Sequence, residues 1–361
     1  MKAPGVVRGL AALLEPYSRF KRKAPLLSYI LGRLLTMLVT LFVLGFAVFG
    51  LMELAPGDIV DQIMLQQLFG EDQGWAGEDR QVMDAALLEA RRAALGLDRP
   101  FYVQYFRWLG RMIRGDLGTS LISRAPVSFL LASRLANSVM LNLIALVLIT
   151  FFSFLLGVYF STKAGTRTDL AVTFFALILH AFPGILMLIL LQLFASVTGL
   201  FPVTAYPSFP FAEAPARFTF SYLHHIFLPL LASFLGGIGG TLRMIRATML
   251  DQLGQPYITS LRARGIGEWR IYFHHAFRNT LNPYITRSAN LLASLFSGSL
   301  ILEIIFAYPG IGRLMYEAVL QEDINLVLAN IMFISFLVLL GMVLSDITLA
   351  LVDPRIRYGK E

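Results

Sequence analysis

The sequence predicts an all-α, polytopic membrane protein. Its 361 residues are 57% hydrophobic and only 15% charged, and the mean hydropathy is +0.68, which is unusual for a soluble domain of this length. The apolar residues are concentrated in six runs, each long enough for a helix of about 20 residues to cross the hydrocarbon core. Because lipid offers the backbone no hydrogen-bond partners, such runs are expected to be helical.

The order of these runs and the positions of the basic residues predict a topology. The six predicted spans cover 29–52, 137–160, 170–196, 225–243, 281–305 and 325–349. An even number of spans places both termini on one side of the membrane. Lys and Arg are frequent before the first span, after the second, after the fourth and after the last. By the positive-inside rule, both termini are therefore expected in the cytoplasm.

Segments outside the spans complete the predicted organisation. Residues 1–28 form a cytoplasmic segment, either a helix on the anionic lipid of the inner leaflet or a basic tail that only sets orientation. Residues 53–136 form an extracytoplasmic insertion of short helices, one of them in "VQYFRWLGRMIRG". The core of 137–349 contains a cytoplasmic loop, 244–280, and 350–361 form a cytoplasmic tail.

Several chemistries are excluded by residues that the sequence lacks. It has no cysteine, which excludes disulfides, iron–sulfur clusters and thiolate metal sites. It has no G-x-x-x-x-G-K-[ST] motif, so we expect no nucleotide or other cofactor on this chain. Although the net charge is +7, no basic helix with interleaved aromatic residues is present, and nucleic acid is not an expected partner.

Two further patterns have ordinary structural interpretations. The run "GGIGGTLR" lies inside a predicted span, so it predicts close helix packing through Gly236 and Gly240 rather than a dinucleotide loop. The histidine pairs 224–225 and 274–275 are adjacent in sequence, and adjacent positions on a helix do not share a face. We therefore expect no metal site.

The loop after the fourth span is charged although it lies between two apolar segments. Leu250, Leu253, Tyr257 and Leu261 follow helical spacing, "RGIG" (264–267) interrupts the pattern, and it resumes at Trp269. The residues thus predict two short helices at the inner membrane surface. An amphipathic helix in that position can bind a soluble partner by lying in its groove.

The sequence of this loop, "YITSLRARGIGEWRIYFHHAFRNTLNPYIT", resembles the cytoplasmic EAA loop of ABC-importer permeases of the oligopeptide and dipeptide group. The segments "LAPGD", "LGLDRPFYVQYFRWLGRMIRGDLGTSL", "ILEIIFAYPGIGRLMYEAVLQED" and "LVDPRIR" resemble the same group in the same order. The likeness is greatest to the microcin C and oligopeptide branch. Thr259, Ser260 and Leu261 stand where the motif has Glu-Ala-Ala, and Gly265 is retained.

This resemblance implies a type I ABC-importer permease fold and a transport subunit rather than an enzyme. The chain would form half of an oligopeptide translocation path in the bacterial inner membrane. Its loop would dock on an ATPase through Tyr257, Ser260, Leu261, Arg262, Ala263, Arg264, Gly265, Ile266 and Trp269. The implied partners are a second, homologous permease in a heterodimer, two ATPase subunits that use ATP and Mg²⁺, and an extracytoplasmic substrate-binding protein. That protein would meet the outer loops 53–136, 197–224 and 306–323.

Three polar residues are candidates for the substrate path. His180, beside Pro183, would either face the path or bond to a neighbouring helix. Arg287 would either line the inner mouth or extend to the cytoplasmic surface. Glu303 would either contact the binding protein or bond nearby backbone.

Other functions stay open on sequence alone. The same machinery could import oligosaccharides, for which the aromatic residues of 201–211 would offer stacking surfaces. A passive channel would need no ATP. An intramembrane enzyme would place His180 or Asp346 next to a nucleophile.

Overall fold

The computed structural model describes residues 25–53, 99–120, 122–281, 295, 299–321 and 323–352. In these ranges the regular elements are helices. In chain order they are α1 (Pro25–Glu53), α2 (Phe101–Ile113), α3 (Val127–Ser161), α4 (Arg167–Ala181), α5 (Gly184–Thr198), α6 (Pro215–Leu253), α7 (Pro256–Ala263), α8 (Glu268–Arg270), a π-helical turn (Ile271–Ala276), α9 (Leu300–Ile305), α10 (Ile311–Leu320) and α11 (Ile324–Val352).

Four of the described helices are long and apolar enough to cross a membrane: α1, α3, α6 and α11. The pair α4 and α5 meets the same test jointly, as one span bent by 94°. These helices match five of the six predicted spans. The remaining predicted span, the fifth in chain order (281–305), lies mostly outside the described residues. The segment 1–24 and the tail beyond 352 also lie outside them.

Two predicted spans differ in extent from the observed helices. The fourth was expected to begin at 225, but α6 begins at Pro215 and continues to Leu253, so the end of the outer loop 197–224 is helical. The second begins at Val127 rather than 137. Both helices continue past the predicted bounds because the flanking residues mix apolar and polar side chains, so an average of hydropathy does not mark where the helix begins.

The chain divides into two compact units, residues 1–127 with 321–361, and residues 128–320. In the first unit, α1 packs against α11 and α2. Tyr105 of α2 is fully buried, and its hydroxyl donates to the Phe42 carbonyl at 3.0 Å. A Cβ built on Gly45 would lie 3.0 Å from the Met332 sulfur and 3.1 Å from the Tyr105 hydroxyl. Gly45 therefore permits the close packing of α1, α2 and α11.

The second unit contains α3 to α10. Its third predicted span is broken where α4 ends at Ala181 and α5 begins at Gly184. Pro183 between them lacks an N–H group, and it disfavours the helical conformation for Phe182, which adopts ψ 130°. Pro183 therefore interrupts this span with a nearly right-angled break between α4 and α5.

Candidate functional site: the loop after α6 and the α6 cavity

The loop that follows α6 has the two helical segments that the sequence predicts. α7 begins with Pro256, whose missing N–H is unneeded at a helix start. It ends at Ala263, and Gly265 follows with φ +75°, where its N–H donates to the Arg262 carbonyl at 2.9 Å. A residue with a side chain is disfavoured at that φ. Gly265 therefore sets the direction in which the chain leaves α7.

One side of this loop is fixed to the ends of α3 and α6. Ile258 and Ile271 are fully buried and pack in a cluster with Val158 of α3 and Met249 of α6. The cluster also includes Leu253, Tyr257, Leu261, Ile266, Tyr272, Phe273 and Phe277. A displacement of the loop would therefore move the ends of the long helices with it.

The opposite side of the loop is exposed. Trp269 is 73% exposed and packs against Phe273, with ring centroids 4.1 Å apart and ring planes tilted by 35°. Six of the nine predicted docking residues are exposed, namely Ser260, Arg262, Ala263, Arg264, Gly265 and Trp269. The other three, Tyr257, Leu261 and Ile266, are half-buried in the apolar cluster. The predicted set thus combines an exposed face with its attachment to the cluster.

An ion pair connects the two arms of the loop. Arg262 donates from Nε and Nη2 to the two carboxylate oxygens of Glu268, at 2.7 and 3.1 Å. These hydrogen bonds raise the pKa of Arg262 and, assisted by the Tyr272 hydroxyl, hold the pKa of Glu268 below its usual value. Both side chains are nearly half exposed, so the pair fixes geometry more than it adds stability. Glu268 is not among the predicted docking residues, although it directly follows "RGIG" in the sequence.

A cavity of about 1050 Å³ lies deeper in the same unit, between α3, α4 and α6. We call it the α6 cavity because most of its lining comes from that helix, between Ser233 and Ala247. Its polar lining consists of Asn142, Thr173, His180, Ser233, Thr241, Arg243 and Arg246. The cavity thus presents basic and neutral polar groups within a wall that is otherwise mostly apolar.

His180 lies in this lining. Its ring packs on Gly240, where an added Cβ would lie 3.2 Å from Nδ1. Close helix packing at the glycine run is therefore present at Gly240 but not at Gly236, where an added Cβ would meet nothing within 4 Å. The prediction for Gly236 is wrong, because the close helix contacts of the run are made at Gly237, Gly239 and Gly240, whereas Gly236 faces only the open cavity.

The two arginines of the cavity differ in their partners. Arg246 is held in an ion pair by Asp169, which is 2% exposed. Among the described residues, Arg243 has neither an ion pair nor a side-chain hydrogen bond, and it is exposed. Arg243 therefore supplies the uncompensated positive charge of the α6 cavity.

The remaining candidates lie elsewhere. Glu303 is fully buried outside the cavity lining and bonds nearby groups, including the Arg313 N–H at 2.9 Å. This matches the second of its two predicted alternatives. Arg287 lies outside the described residues.

The histidine pair at 224–225 has hydrogen-bond partners in the backbone. His224 and His225 bond the carbonyls of Leu200 and Ser221, respectively, and the described part of the chain contains no cluster of three metal-ligating side chains.

Comparison with known proteins agrees with this arrangement. The chain is 33% identical over 334 residues to the oligopeptide transport system permease protein AppB of Bacillus subtilis (strain 168), covering 92% of this chain and 99% of AppB. It is 31% identical to the inner membrane ABC transporter permease protein YejB of Escherichia coli O157:H7, covering 92% and 99%. It is 28% identical to the glutathione transport system permease protein GsiC of Escherichia coli O6:H1, covering 92% and 100%.

A family match covers more than half of the chain. Residues 149–358, which include the loop after α6 and most of the lining of the α6 cavity, match the family described as binding-protein-dependent transport system inner membrane component. The resemblance found in the loop sequence is thereby confirmed. The chain belongs to this family and is a multi-pass permease subunit of an ABC importer.

Proposed function

We propose that this permease forms half of a peptide translocation path and takes its energy from ATPase subunits. These subunits would dock on the loop after α6, which contains α7 and α8. The observation that carries the proposal is the two-sided loop itself. Its apolar side is fixed to α3 and α6, and its exposed side presents Trp269 and Arg264. Exposed aromatic and arginine side chains are the residue types that dominate protein interfaces.

Peptides are the substrate class that the relatives' names support. AppB is named for oligopeptides and GsiC for glutathione, itself a short peptide. Neither name refers to oligosaccharides. Membership in a transport family also disfavours the enzyme and passive-channel alternatives. The α6 cavity, with His180 in its wall, is the proposed substrate path on this chain.

The rest of the assembly follows from the proposed role. Six spans with cytoplasmic termini in a bacterial inner membrane would place the loop and the tail on the ATPase side. A second, homologous permease would complete the path, and two ATPase subunits would bind ATP with Mg²⁺. The binding protein would deliver substrate to the outer loops, and nucleotide-driven closure of the ATPases would move the loop and the helices fixed to it.

Affinity purification of the tagged chain in mild detergent tests the docking role. In the test variant, Arg264→Glu and Gly265→Glu place negative charge on the exposed turn. The matched control, Lys163→Glu with Gly165→Glu, changes another exposed turn whose glycine has φ +78°. We expect both variants to retain the second permease and only the test variant to lose the ATPase. Equal ATPase recovery from both variants would refute the docking role.

A further inference from the structure

The α6 cavity has an unequal distribution of charge along its length. Arg243 lies near one end of the cavity wall that α6 forms. Ser233 lies about 15 Å away along the helix axis, at 1.5 Å per residue. Within the described residues, no acidic side chain lines the cavity, and Asp169 is already engaged by Arg246. One end of the cavity therefore presents a cation, and the other presents neutral polar groups.

The size of the cavity matches a short peptide. Pockets for drug-sized ligands have volumes of roughly 300–1,000 Å³. The volume of the α6 cavity, about 1050 Å³, is at the upper end of that range. An extended chain rises about 3.3 Å per residue, so the interval from Ser233 to Arg243 fits about four residues. The neutral hydroxyl and amide side chains of Ser233, Thr241 and Asn142 in the wall could hydrogen-bond to the peptide groups of such a ligand.

We propose that the α6 cavity is a binding site for a carboxylate of the peptide in transit, and that Arg243 is the residue that holds it. The proposal rests on the peptide-importer function and adds a selectivity to it. A guanidinium group binds a carboxylate through two parallel hydrogen bonds, which an uncharged amide cannot accept with equal strength. A peptide would therefore enter this half of the path with its carboxylate at the Arg243 end.

The test uses the complete importer in liposomes, with binding protein fully loaded so that its own affinity does not limit uptake. Three tetrapeptides are compared: one with a free C-terminal carboxylate, its C-terminal amide, and an amide that contains one glutamate. We expect the wild type to import the free acid about tenfold faster than the amide. Arg243→Gln should reduce the acid to the rate of the amide, and Arg243→Lys, which keeps the charge but not the paired donors, should restore only part of the difference.

A matched variant at Arg167 tests whether the selectivity belongs to the cavity. Arg167→Gln removes an exposed arginine outside the cavity lining and should preserve wild-type selectivity. Uptake of the glutamyl amide at the rate of the free acid would mean that any carboxylate suffices, whereas uptake at the rate of the amide would confine the site to the C-terminal carboxylate.

Three results would overturn the proposal. If Arg243→Gln retains the preference for the acid, Arg243 is not the carboxylate site. If it slows acid and amide equally, and only in liposomes that contain anionic lipid, the arginine holds a lipid headgroup instead. If the wild type imports none of the tetrapeptides while its ATPase responds to loaded binding protein, the peptide function fails, and the carboxylate site fails with it.

Discussion

Arg246 and Asp169, 77 positions apart in the chain, form a paired contact between α6 and α4. Arg246 Nε lies 2.6 Å from Oδ1 of Asp169, and Nη2 lies 2.7 Å from Oδ2. Oδ2 also accepts from the Gly165 N–H at 3.0 Å. The carboxylate thus joins the turn before α4 to the part of α6 that precedes the loop of α7 and α8. It also neutralises one of the two arginines of the α6 cavity.

Replacement of Asp169 by Asn should destabilise the protein, because Arg246 would lose its ionic partner while the amide cannot accept both hydrogen bonds. We expect the free energy of unfolding to fall by roughly 2 kcal/mol. The measurement is the Tm of the purified importer complex in detergent, which should be lower. Asp251→Asn, which changes an exposed carboxylate on the same helix as Arg246, should have little effect. Equal Tm values for the two variants would show that the pair contributes no stability.

Glu303 has a comparable role in the turn between α9 and α10. One carboxylate oxygen accepts from the Ser138 hydroxyl at 2.7 Å, and the other from the Arg313 N–H at 2.9 Å. The Ser138 hydroxyl in turn accepts from the Ile311 N–H at 2.8 Å. A carboxylate that only accepts hydrogen bonds suits this site.

Glu303→Gln places an NH₂ group toward one of these donors and leaves a buried donor unsatisfied. We expect a loss of about 1–3 kcal/mol in the free energy of unfolding, again measured through Tm. Glu317→Gln breaks an exposed pair with Arg313 and should cost less than about 0.5 kcal/mol. A smaller loss for Glu303→Gln than for Glu317→Gln would contradict the assigned role.

The glycine run of α6 offers a graded test of helix packing. A Cβ on Gly239 would lie too close to the Ala176 carbonyl oxygen and 3.0 Å from the His180 nitrogen. Both are backbone atoms that cannot move alone, so Gly239→Ala should cost about 1–3 kcal/mol. Gly236→Ala meets no atom within 4 Å and should raise stability by up to about 1 kcal/mol through helix propensity. Tm measurements on both variants should give opposite signs.

These contacts also mark how far the sequence could predict the structure. The apolar runs located α1, α3, α6 and α11, and "RGIG" located the break between α7 and α8, because these features depend on local composition. The pairing of Arg246 with Asp169 depends on how α4 meets α6, and nothing near either residue in sequence encodes it. The choice between Gly236 and Gly239 likewise depends on which face of α6 meets a neighbour. Glu303 was left with two alternatives because its partners Ser138 and Arg313 lie on α3 and in the first turn of α10.

Trp269 provides the most direct test of the docking role proposed for the loop of α7 and α8. Its indole is 73% exposed and rests on Phe273, which belongs to the apolar cluster below. Trp269→Ala removes a large exposed surface without opening a cavity, so the Tm of the isolated permease should stay unchanged. If the indole inserts into the ATPase, the affinity of the ATPase should fall at least tenfold, since buried interface aromatics contribute about 2 kcal/mol or more.

Binding of purified ATPase to the permease in nanodiscs measures this change. Phe273→Ala should lower both ATPase affinity and Tm, because Phe273 packs in the cluster as well as supporting the indole. His274→Ala, at an exposed position on the same π-helical turn, should change neither. If Trp269→Ala binds the ATPase as tightly as His274→Ala does, the exposed indole is not part of the interface, and docking must rely on the arginines of the turn.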